Sequence, residues 1–371
     1  MKRDTLIGLD RIHRRLGAAL GAIFVVIAFS GAVSVFRHEL DLWGNPHLSP
    51  DSSTSVDPLE QVVESALKSR PLESVDQIVT VFPQSSDEAF RVLVAPGEGE
   101  AADEVFVGGV TKANLGRKRN PAADWMFQLH AYLLTESKLG RYAVGVLGLA
   151  FLVSTITGFF TYRHRKRDAY RLEWNRGVRR SSADAHKALG LWALTFHLMV
   201  GLTGTYLGLK DLFLLPPAAA LFSGDVSAAR AAMTSPRPSR TGEAAEMVPL
   251  ETILASARSA IPEFEPNVVI LDLWGDRSAR ITVRGTIPGH LMARHEAVKV
   301  EYRGIDGKRL AIENGITESI WTRIFHAIAP LHYGNMGGPG LKWIYFALGV
   351  STTILAITGL LIRSTRRTSA G

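Results

Sequence analysis

The stretch HRRLGAALGAIFVVIAFSGAVSV, residues 13–35, is an apolar segment that begins with a histidine and continues past a Ser-Gly pair. A second stretch, HKALGLWALTFHLMVGLTGTYLG, residues 186–208, has the same plan and continues past a Thr-Gly pair. In both, the histidine precedes the hydroxyl-glycine pair by the same number of positions. Apolar runs of about 20 residues are long enough to cross a bilayer. Both stretches therefore predict membrane-spanning helices with a histidine near one end.

Two further apolar runs complete a predicted set of four spanning helices, at residues 16–36, 142–162, 189–209 and 341–362. Lys and Arg are concentrated at the N-terminus, in the 163–187 link and in the C-terminal tail. The positive-inside rule assigns these three segments to the cytoplasm. The two long connections, 37–140 and 210–340, are then predicted to lie on the opposite side of the membrane.

The formal net charge of +7 comes from these basic runs, which lie against helix ends and therefore indicate topology rather than nucleic-acid binding. The chain has no cysteine, which excludes disulfides, cysteine-ligated zinc, iron–sulfur clusters and c-type haem attachment. Carboxylates are scarce in the spans, which argues against zinc or a carboxylate-bridged di-iron centre.

Each long connection contains one helical pattern followed by three strand-like runs. The first has PLEQVVESALKS, then QIVTVFP, AFRVLVA and EVFVGG; the second has PLETILASARSA, then NVVILDLWG, ARITVRG and AVKVEYRG. Both helical patterns open with Pro-Leu-Glu, at Pro58 and Pro249. This predicts two small external α+β units, with residues 223–246 as a polar, mobile linker.

The second span of each half also follows a shared motif. LHAYLL, with His130, precedes a span containing Thr157-Gly158, and LHYGNM, with His332, precedes a span containing Thr358-Gly359. The chain is therefore predicted to be an internal two-fold repeat. The small residues suit close helix packing, clearance for a flat macrocycle between helices, or both.

A two-fold axis along the membrane normal would bring His13 opposite His186 near one face, and His130 opposite His332 near the other. Neutral imidazole is a good axial ligand for haem iron, and the interior of a helix bundle is a common place for a cofactor. Two haems, one near each face, would carry electrons across the membrane.

Other histidines leave this ligand set open. His197 follows His186 by eleven positions, which on one helix gives nearly the same face about 16 Å further along, so it is a candidate ligand for a second haem. His38 and His326 are alternatives to the outer pair. His164 lies among arginines and is interpreted as interfacial.

In their order along nearly the whole chain, these motifs resemble the PepSY-associated transmembrane family, whose members include iron-regulated inner-membrane proteins and ferric-siderophore reductases. The resemblance implies two haem b groups, PepSY units in the periplasm, a bacterial inner-membrane location with cytoplasmic termini, and reduction of siderophore-bound iron. It carries the role of haem-iron ligand onto His13, His186, His130 and His332.

The expected reaction is one-electron reduction of a ferric siderophore, with the hydroxamate type as a candidate, which releases weakly bound ferrous iron. Trp43, Tyr132 and Tyr333 are the candidate substrate contacts, and Trp321 fits an interfacial aromatic belt better.

The sequence contains no dinucleotide-binding GxGxxG motif, so a membrane quinol or a cytoplasmic reductase is the expected electron donor. The alternatives are a non-redox PepSY-type binding or regulatory protein and, less favoured, a permease.

The predicted fold is thus an α-helical integral membrane protein, a four-transmembrane-helix bundle with two small α+β PepSY-like external units. Its predicted segments are the first transmembrane helix (1–40), the first PepSY-like unit (41–120), the second transmembrane helix with its preceding His segment (121–163), a basic cytoplasmic loop (164–185), the third transmembrane helix (186–212), the linker and second PepSY-like unit (213–320), and the fourth transmembrane helix with the cytoplasmic tail (321–371).

Overall fold

The computed structural model describes residues 2–49, 58–67, 70–85, 88–96, 102–108, 114–116, 118–162, 173, 177–226, 228, 237–290, 298–317 and 319–367. The chain divides into two compact units. The helical unit contains Met1–Asp41, Pro121–Ala229 and Ile328–Gly371. The sheet unit contains Leu42–Asn120 and Arg230–Ala327.

The helices, in chain order, are α1 (Arg3–Ser34), α2 (Arg37–Gly44), α3 (Leu59–Leu67), α4 (Ala122–Tyr132), α5 (Lys138–Thr161), α6 (Val178–Trp192), α7 (Leu194–Leu209), α8 (Leu215–Leu221), α9 (Leu250–Ala260), α10 (Ile320–Tyr333) and α11 (Gly338–Arg367). Within the described residues, four stretches are long and apolar enough to cross a membrane: Arg3–Ser34, Lys138–Thr161, Leu194–Leu221 and Gly338–Thr365. The prediction of a membrane protein with four spanning segments is confirmed. In the helical unit α1 packs against α5 and α11, α5 packs against α7, and α6 packs against α11.

The segment predicted as one third span, 186–212, is divided into α6 and α7. Ala193 separates them, with φ −98° and ψ 16°, outside the helical region. The N–H of Ala193 donates to Leu189 O at 3.1 Å, and the N–H of His197 donates to Ala193 O at 2.8 Å, so hydrogen bonding continues across the break. His186 and His197 therefore do not lie on one continuous helix, which was the premise for assigning them as stacked ligands.

The predicted basic loop, 164–185, is shorter than expected. The helix α6 begins at Val178, so residues 178–185 are helical. Gly177 precedes it with φ +81°, a backbone conformation that glycine adopts without steric cost and that allows the helix to begin there. Residues 163–172, which include His164, and residues 174–176 lie outside the described part of the chain.

The strands are β1 (Gln77–Val81), β2 (Phe90–Ala95), β3 (Asp103–Val107), β4 (Asn114–Gly116), β5 (Glu265–Asp272), β6 (Arg280–Thr286), β7 (Val298–Arg303) and β8 (Arg309–Asn314). In the described residues they form one antiparallel sheet with the order β4-β3-β2-β1-β5-β6-β7-β8. The expectation of two separate external units is therefore wrong. If the two halves formed separate sheets, β1 and β5 would each have one unpaired edge. Pairing β1 with β5, with Ile78 opposite Leu271, satisfies the N–H and C=O groups of both edges.

Alternate residues along the strands build the core of the sheet unit. Ile78, Val92, Ile281 and Val300 are fully buried, and α3 and α9 contribute the apolar residues that pack on them. This period-two burial is what an antiparallel sheet with helices on one face requires. The core is continuous across the two halves, so neither half has a hydrophobic core of its own.

The repeated Pro-Leu-Glu motif joins the two helices at their N-termini. The N–H of Leu59 donates to Glu251 Oε1 at 3.1 Å, and the N–H of Leu250 donates to the carboxylate of Glu60. The first N–H groups of a helix have no partner within the helix, and a carboxylate near the N-terminus also interacts favourably with the helix dipole. Each motif therefore caps the helix of the other half.

The predicted linker is partly fixed to the sheet unit. The backbone N–H groups of Thr241 and Gly242 donate to the Asp276 carboxylate, as do the N–H and hydroxyl of Ser278. Burial raises the pKa of Asp276, but the hydrogen bonds from Ser278 and Thr241 outweigh it and hold the pKa well below the usual range. A buried ionised carboxylate needs these donors, so Asp276 holds the chain in place around residue 241. The expectation of a mobile linker is therefore wrong at this point.

Reciprocal capping predicts that each Glu→Ala change destabilises the opposite helix. We expect Glu251→Ala to speed hydrogen exchange of the Leu59 amide, and Glu60→Ala that of the Leu250 amide, each by the equivalent of about 1 kcal/mol. The measurement is hydrogen exchange by mass spectrometry on the full chain. Glu64→Ala, at an exposed position of α3, is the control. Faster exchange only in the helix that carries the substitution would contradict reciprocal capping.

Candidate functional site

Two pairs of histidine rings face each other in the helical unit. The ring centres of His13 on α1 and His186 on α6 lie 6.1 Å apart, and those of His130 on α4 and His332 on α10 also lie 6.1 Å apart. The ring planes are inclined by 66° in the first pair and 29° in the second. His130 is hydrogen-bonded to the carbonyl oxygen of Ile27, which lies on α1 fourteen positions after His13. The two pairs are therefore about 20 Å apart along α1.

Three of these four rings are fixed by a backbone carbonyl of a neighbouring helix. Nδ1 of His13 donates to Ser154 O, Nδ1 of His130 to Ile27 O and Nδ1 of His186 to Leu355 O, each at 2.9 Å. A carbonyl oxygen only accepts, so Nδ1 carries the ring proton and the Nε2 lone pair remains available to a ligand. Metal-binding histidines are commonly held in this tautomer by the same kind of bond.

The fourth ring is fixed by a hydroxyl. The Nδ1 of His332 lies 2.9 Å from Thr203 Oγ1. The Thr203 hydroxyl donates its single proton to Met199 O at 2.7 Å, so its oxygen is left to accept from His332. The Nε2 lone pair of His332 is therefore available as well, and all four rings share one tautomer.

The Ser/Thr-Gly pairs of the sequence lie where the histidine rings meet the neighbouring helices. Glycine leaves no Cβ at these positions, and an added Cβ would collide with or press on the ring. The distance from the added Cβ to Cε1 of the histidine would be 2.6 Å between Gly31 and His130 and 2.9 Å between Gly158 and His13. It would be 3.0 Å between Gly204 and His332 and 3.2 Å between Gly359 and His186. Each ring therefore lies in a notch that only glycine leaves open.

The hydroxyl residue before each glycine contributes to the shape of the helix. Ser30, Thr157, Thr203 and Thr358 each donate to the carbonyl four residues earlier, at 2.7–2.9 Å. Such bonds satisfy the hydroxyl inside an apolar environment and tend to bend the helix slightly. The small-residue pairs thus serve helix packing and ring clearance together.

The separation within each pair suits a single metal ion held between two imidazoles. Metal–nitrogen bonds of about 2 Å on each side, with about 1 Å from each nitrogen to its ring centre, place the ring centres about 6 Å apart. Both observed separations are 6.1 Å. Among the described residues, groups of three or more His, Cys, Asp or Glu suited to a metal do not occur, so each pair would supply two protein ligands.

The space beside the His13–His186 pair is clear. Gly17 and Gly190 each lie four residues after a ligand candidate, on the same face of its helix. A Cβ at Gly17 would meet no atom within 4 Å, and one at Gly190 would meet only Leu355 Cδ1 at 3.7 Å. A flat group between the rings needs this kind of clearance.

The short helices α4 and α10 are held by polar contacts of their own. The Arg37 guanidinium bonds to Asp124 at 2.6 Å and lies 4.2 Å above the centre of the Phe127 ring, which ties α4 to α2. The Tyr345 hydroxyl donates to Leu331 O at 2.8 Å, next to His332. These contacts orient the two helices that carry the second pair.

His130 and His332 lie outside the four spanning segments, and both are held neutral. Burial lowers the pKa of His130 below its ordinary value, and burial together with the neighbouring His130 lowers the pKa of His332. A histidine must be neutral to bind a metal, so this pair is ready to bind at pH 7.

The other candidate histidines are His197, His38 and His326, and they lie apart from the two facing pairs. His197 is buried, and its ring contacts Phe151 and Phe196. His38 lies in α2, and His326 belongs to the sheet unit, six residues before His332 on α10. Six residues turn a helix by about 240°, so His326 points away from the side that His332 presents.

The aromatic candidates differ in placement. Tyr333 is 47% exposed, and its ring centre lies 5.9 Å from that of His332. Tyr132 contacts Phe127, and Trp43, in the sheet unit, is 82% exposed. The side chain of Trp321 lies outside the described part of the structure.

Sequence reasoning missed the groups that hold the rings. Ile27, Ser154 and Leu355 contribute backbone carbonyls, which have no residue signature, and each precedes a notch glycine by four positions. That spacing is the one usable signal, since a carbonyl one turn before a glycine is exposed to an approaching side chain. Tyr345 and Arg37 act through tertiary contacts that no local pattern predicts.

Comparison with known proteins identifies the family. A family model described as "PepSY-associated TM region" matches residues 11–367, which include all four paired histidines. The chain is 28% identical over 258 residues to a protein of Pseudomonas aeruginosa described as "Uncharacterized protein PA4219". That alignment covers 67% of this chain and 65% of the relative, so the chain matches just under two thirds of the relative's length.

The glycine notches predict a steric effect on stability. We expect Gly31→Ala to destabilise the helical unit by about 1–3 kcal/mol, because the new methyl group would overlap the His130 ring. The measurement is the apparent melting temperature of the full chain in detergent. Gly8→Ala, on the same helix with no atom within 4 Å of the new methyl, is the matched control. Equal melting temperatures for the two variants would show that the notch is not needed.

Proposed function

The chain belongs to the PepSY-associated TM region family, and from this premise we propose that it is a dihaem b-type membrane reductase that delivers electrons to ferric siderophore. The observation that carries the proposal is the presence of two histidine pairs, each with ring centres 6.1 Å apart and with every Nδ1 bonded to a helix other than that of the partner ring. Haem b bound at each pair would supply a one-electron Fe³⁺/Fe²⁺ couple.

The chain's own residues would prepare each site for this group. The Nδ1 bonds fix the orientation of the four imidazoles and increase the basicity of Nε2, which favours a bound ferric ion. The glycine notches let each ring approach its neighbouring helix without moving the backbone apart. The surrounding apolar helices keep water away, and a low dielectric is one of the protein's means of setting a redox potential.

The reaction would transfer one electron to each ferric siderophore. The ferric ion becomes ferrous, no bond within the organic ligand breaks, and the ferrous ion is released because the ligand holds it far less well. A membrane quinol donor would release two electrons and two protons for every two siderophores reduced. A reduced cytoplasmic enzyme is the alternative donor.

Tyr333 is the aromatic side chain best placed to contact a substrate near the second pair, because it is half exposed and its ring touches that of His332. Tyr132, at the end of α4, is the second candidate from the helical unit. Aromatic faces suit the apolar parts of a hydroxamate-type siderophore.

The proposed topology places both termini in the cytoplasm of a bacterial inner membrane and the sheet unit in the periplasm, following the Lys/Arg distribution. Because the chain has no cysteine, single cysteines report on it cleanly. We expect Ser259→Cys, exposed on α9, to react with a membrane-impermeant maleimide in cells with only the outer membrane permeabilised. Thr5→Cys, exposed on α1, should react only after the inner membrane is opened. The reverse labelling would overturn the topology.

The pairing predicts that each histidine change removes one haem and leaves the other. We expect about two haems per chain in the wild type and about one in His13→Ala or in His332→Ala, since both histidines of a pair would be needed to hold its haem. The measurement is a pyridine haemochrome count with oxidised and dithionite-reduced spectra. His290→Ala, at an exposed site in the sheet unit, is the control.

The outcomes separate the two function classes. Reoxidation of the reduced protein by a ferric siderophore would support the reductase. A colourless protein purified from haem-replete cells would remove the redox proposal and favour a PepSY-type binding or regulatory role. Two full haems in both single variants would show that the pairs are not the ligands.

A further inference from the structure

His197 is a buried polar side chain that the two histidine pairs do not use. It is 1% exposed, and among the described residues its Nε2 atom has no hydrogen-bond partner. Its ring contacts the rings of Phe151 and Phe196, with ring centres 5.8 Å and 6.3 Å away. A buried nitrogen without a partner is destabilising, so its presence in a membrane-spanning helix needs an explanation.

The other half of the chain has an apolar residue at the matching place. Phe24 follows His13 by eleven positions, as His197 follows His186. Both rings contact Phe151, Phe24 at 5.7 Å and His197 at 5.8 Å. A phenylalanine therefore fills this position of the bundle without any polar cost, and the imidazole adds a basic nitrogen rather than packing.

Charged residues lie nine or more positions along the chain from this nitrogen or from its aromatic neighbours on α1, α5, α6 and α7. The helix α7 carries no Asp, Glu, Lys or Arg. On α5 the nearest is Arg141, ten positions, or about 15 Å, before Phe151. On α1 it is Arg15, nine positions before Phe24, and on α6 it is Lys187, ten positions before His197. The titratable rings of His13 and His186 lie eleven positions before Phe24 and His197, respectively.

The remaining neighbour is α11. Its Tyr345 ring contacts Phe196 at 5.4 Å, and the Tyr345 hydroxyl is already bonded to Leu331 O. The nearest charged residue on α11, Lys342, is paired with the Glu39 carboxylate at 2.5 Å. The described surroundings of His197 thus hold no carboxylate that would stabilise an imidazolium ion. A protonated His197 would be stable only when a negative charge is added to the bundle from elsewhere.

We propose that His197 is a redox-linked proton site, whose Nε2 binds one proton when one electron enters the bundle and releases it when that electron leaves. The proposal rests on the proposed reductase function. The electron comes from the quinol or cytoplasmic reductase and leaves to a ferric siderophore. The proton comes from a hydronium ion at a membrane face, whose O–H bond breaks as the N–H bond forms, and on release the N–H bond breaks and the proton returns to water.

The physical reason is charge balance in a low dielectric. An added electron and an imidazolium ion are each unfavourable alone inside the membrane, and together they leave the charge of the bundle unchanged. His197 on α7 lies in the sequence between His186 on α6 and Thr203 on α7, the residue that binds His332, so it is placed between the two pairs. Its proton would ease passage of the electron from one pair to the other.

The test is a spectroelectrochemical titration of the full-length haem-loaded protein from about pH 5 to about pH 8, the range in which histidine usually titrates. We expect at least one midpoint potential of the wild type to fall with pH, approaching about 59 mV for each tenfold drop in proton concentration. His197→Phe copies the residue at the matching position, and His197→Gln keeps a polar side chain that does not titrate. Both should give potentials that do not change with pH, with both haems retained. Phe24→Leu, which also contacts Phe151 in the wild type, should keep the pH dependence.

Each failure has its own signature. A preparation without haem removes the reductase proposal, and this inference with it. Full haem content with pH-independent potentials in the wild type, or unchanged pH dependence in both His197 variants, would overturn the inference and leave the reductase proposal standing. Loss of one haem in both variants would also overturn it, because His197 would then be a ligand.

Discussion

The bond from a histidine Nδ1 to a neighbouring helix is the contact on which the helical unit depends. It orients His13, His130 and His186 against carbonyls at 2.9 Å, and it fixes each ring in one tautomer. The same bond joins α1 to α5, α4 to α1 and α6 to α11, so the orientation of the rings and the packing of the helices cannot vary independently. A ring held in this way keeps its second nitrogen at a defined distance from the facing ring, which a bound metal ion requires.

The sheet unit follows a comparable logic of mutual dependence. The strand β1 of one half pairs with β5 of the other, and each Pro-Leu-Glu motif caps the helix of the other half. Small α+β halves of this size would bury little apolar surface alone, and joining them removes two exposed strand edges. One sheet with one core is therefore more stable than two separate ones.

The family and the membrane character were predictable from the sequence, because they depend on local features such as apolar run length and the order of short motifs. Both are confirmed by the family match and by the four apolar helices. The two histidine pairs in the structure are those expected from the spacing of the motifs along the chain. What the pairs bind stays a prediction. The break at Ala193 was not predictable, since residues 191–195 contain no glycine or proline.

The sequence by itself determined the number of spanning helices, the positions of the four paired histidines and the glycines beside them, since each is set by covalent spacing along one helix. Only the tertiary structure decided that the strands of the two long connections share one sheet, that carbonyls one turn before a glycine hold three of the rings, and that Nε2 of the buried His197 has no partner among the described residues. These depend on groups brought together from distant parts of the chain. Backbone edges and carbonyls are common to all residues, so no sequence pattern marks which of them will meet.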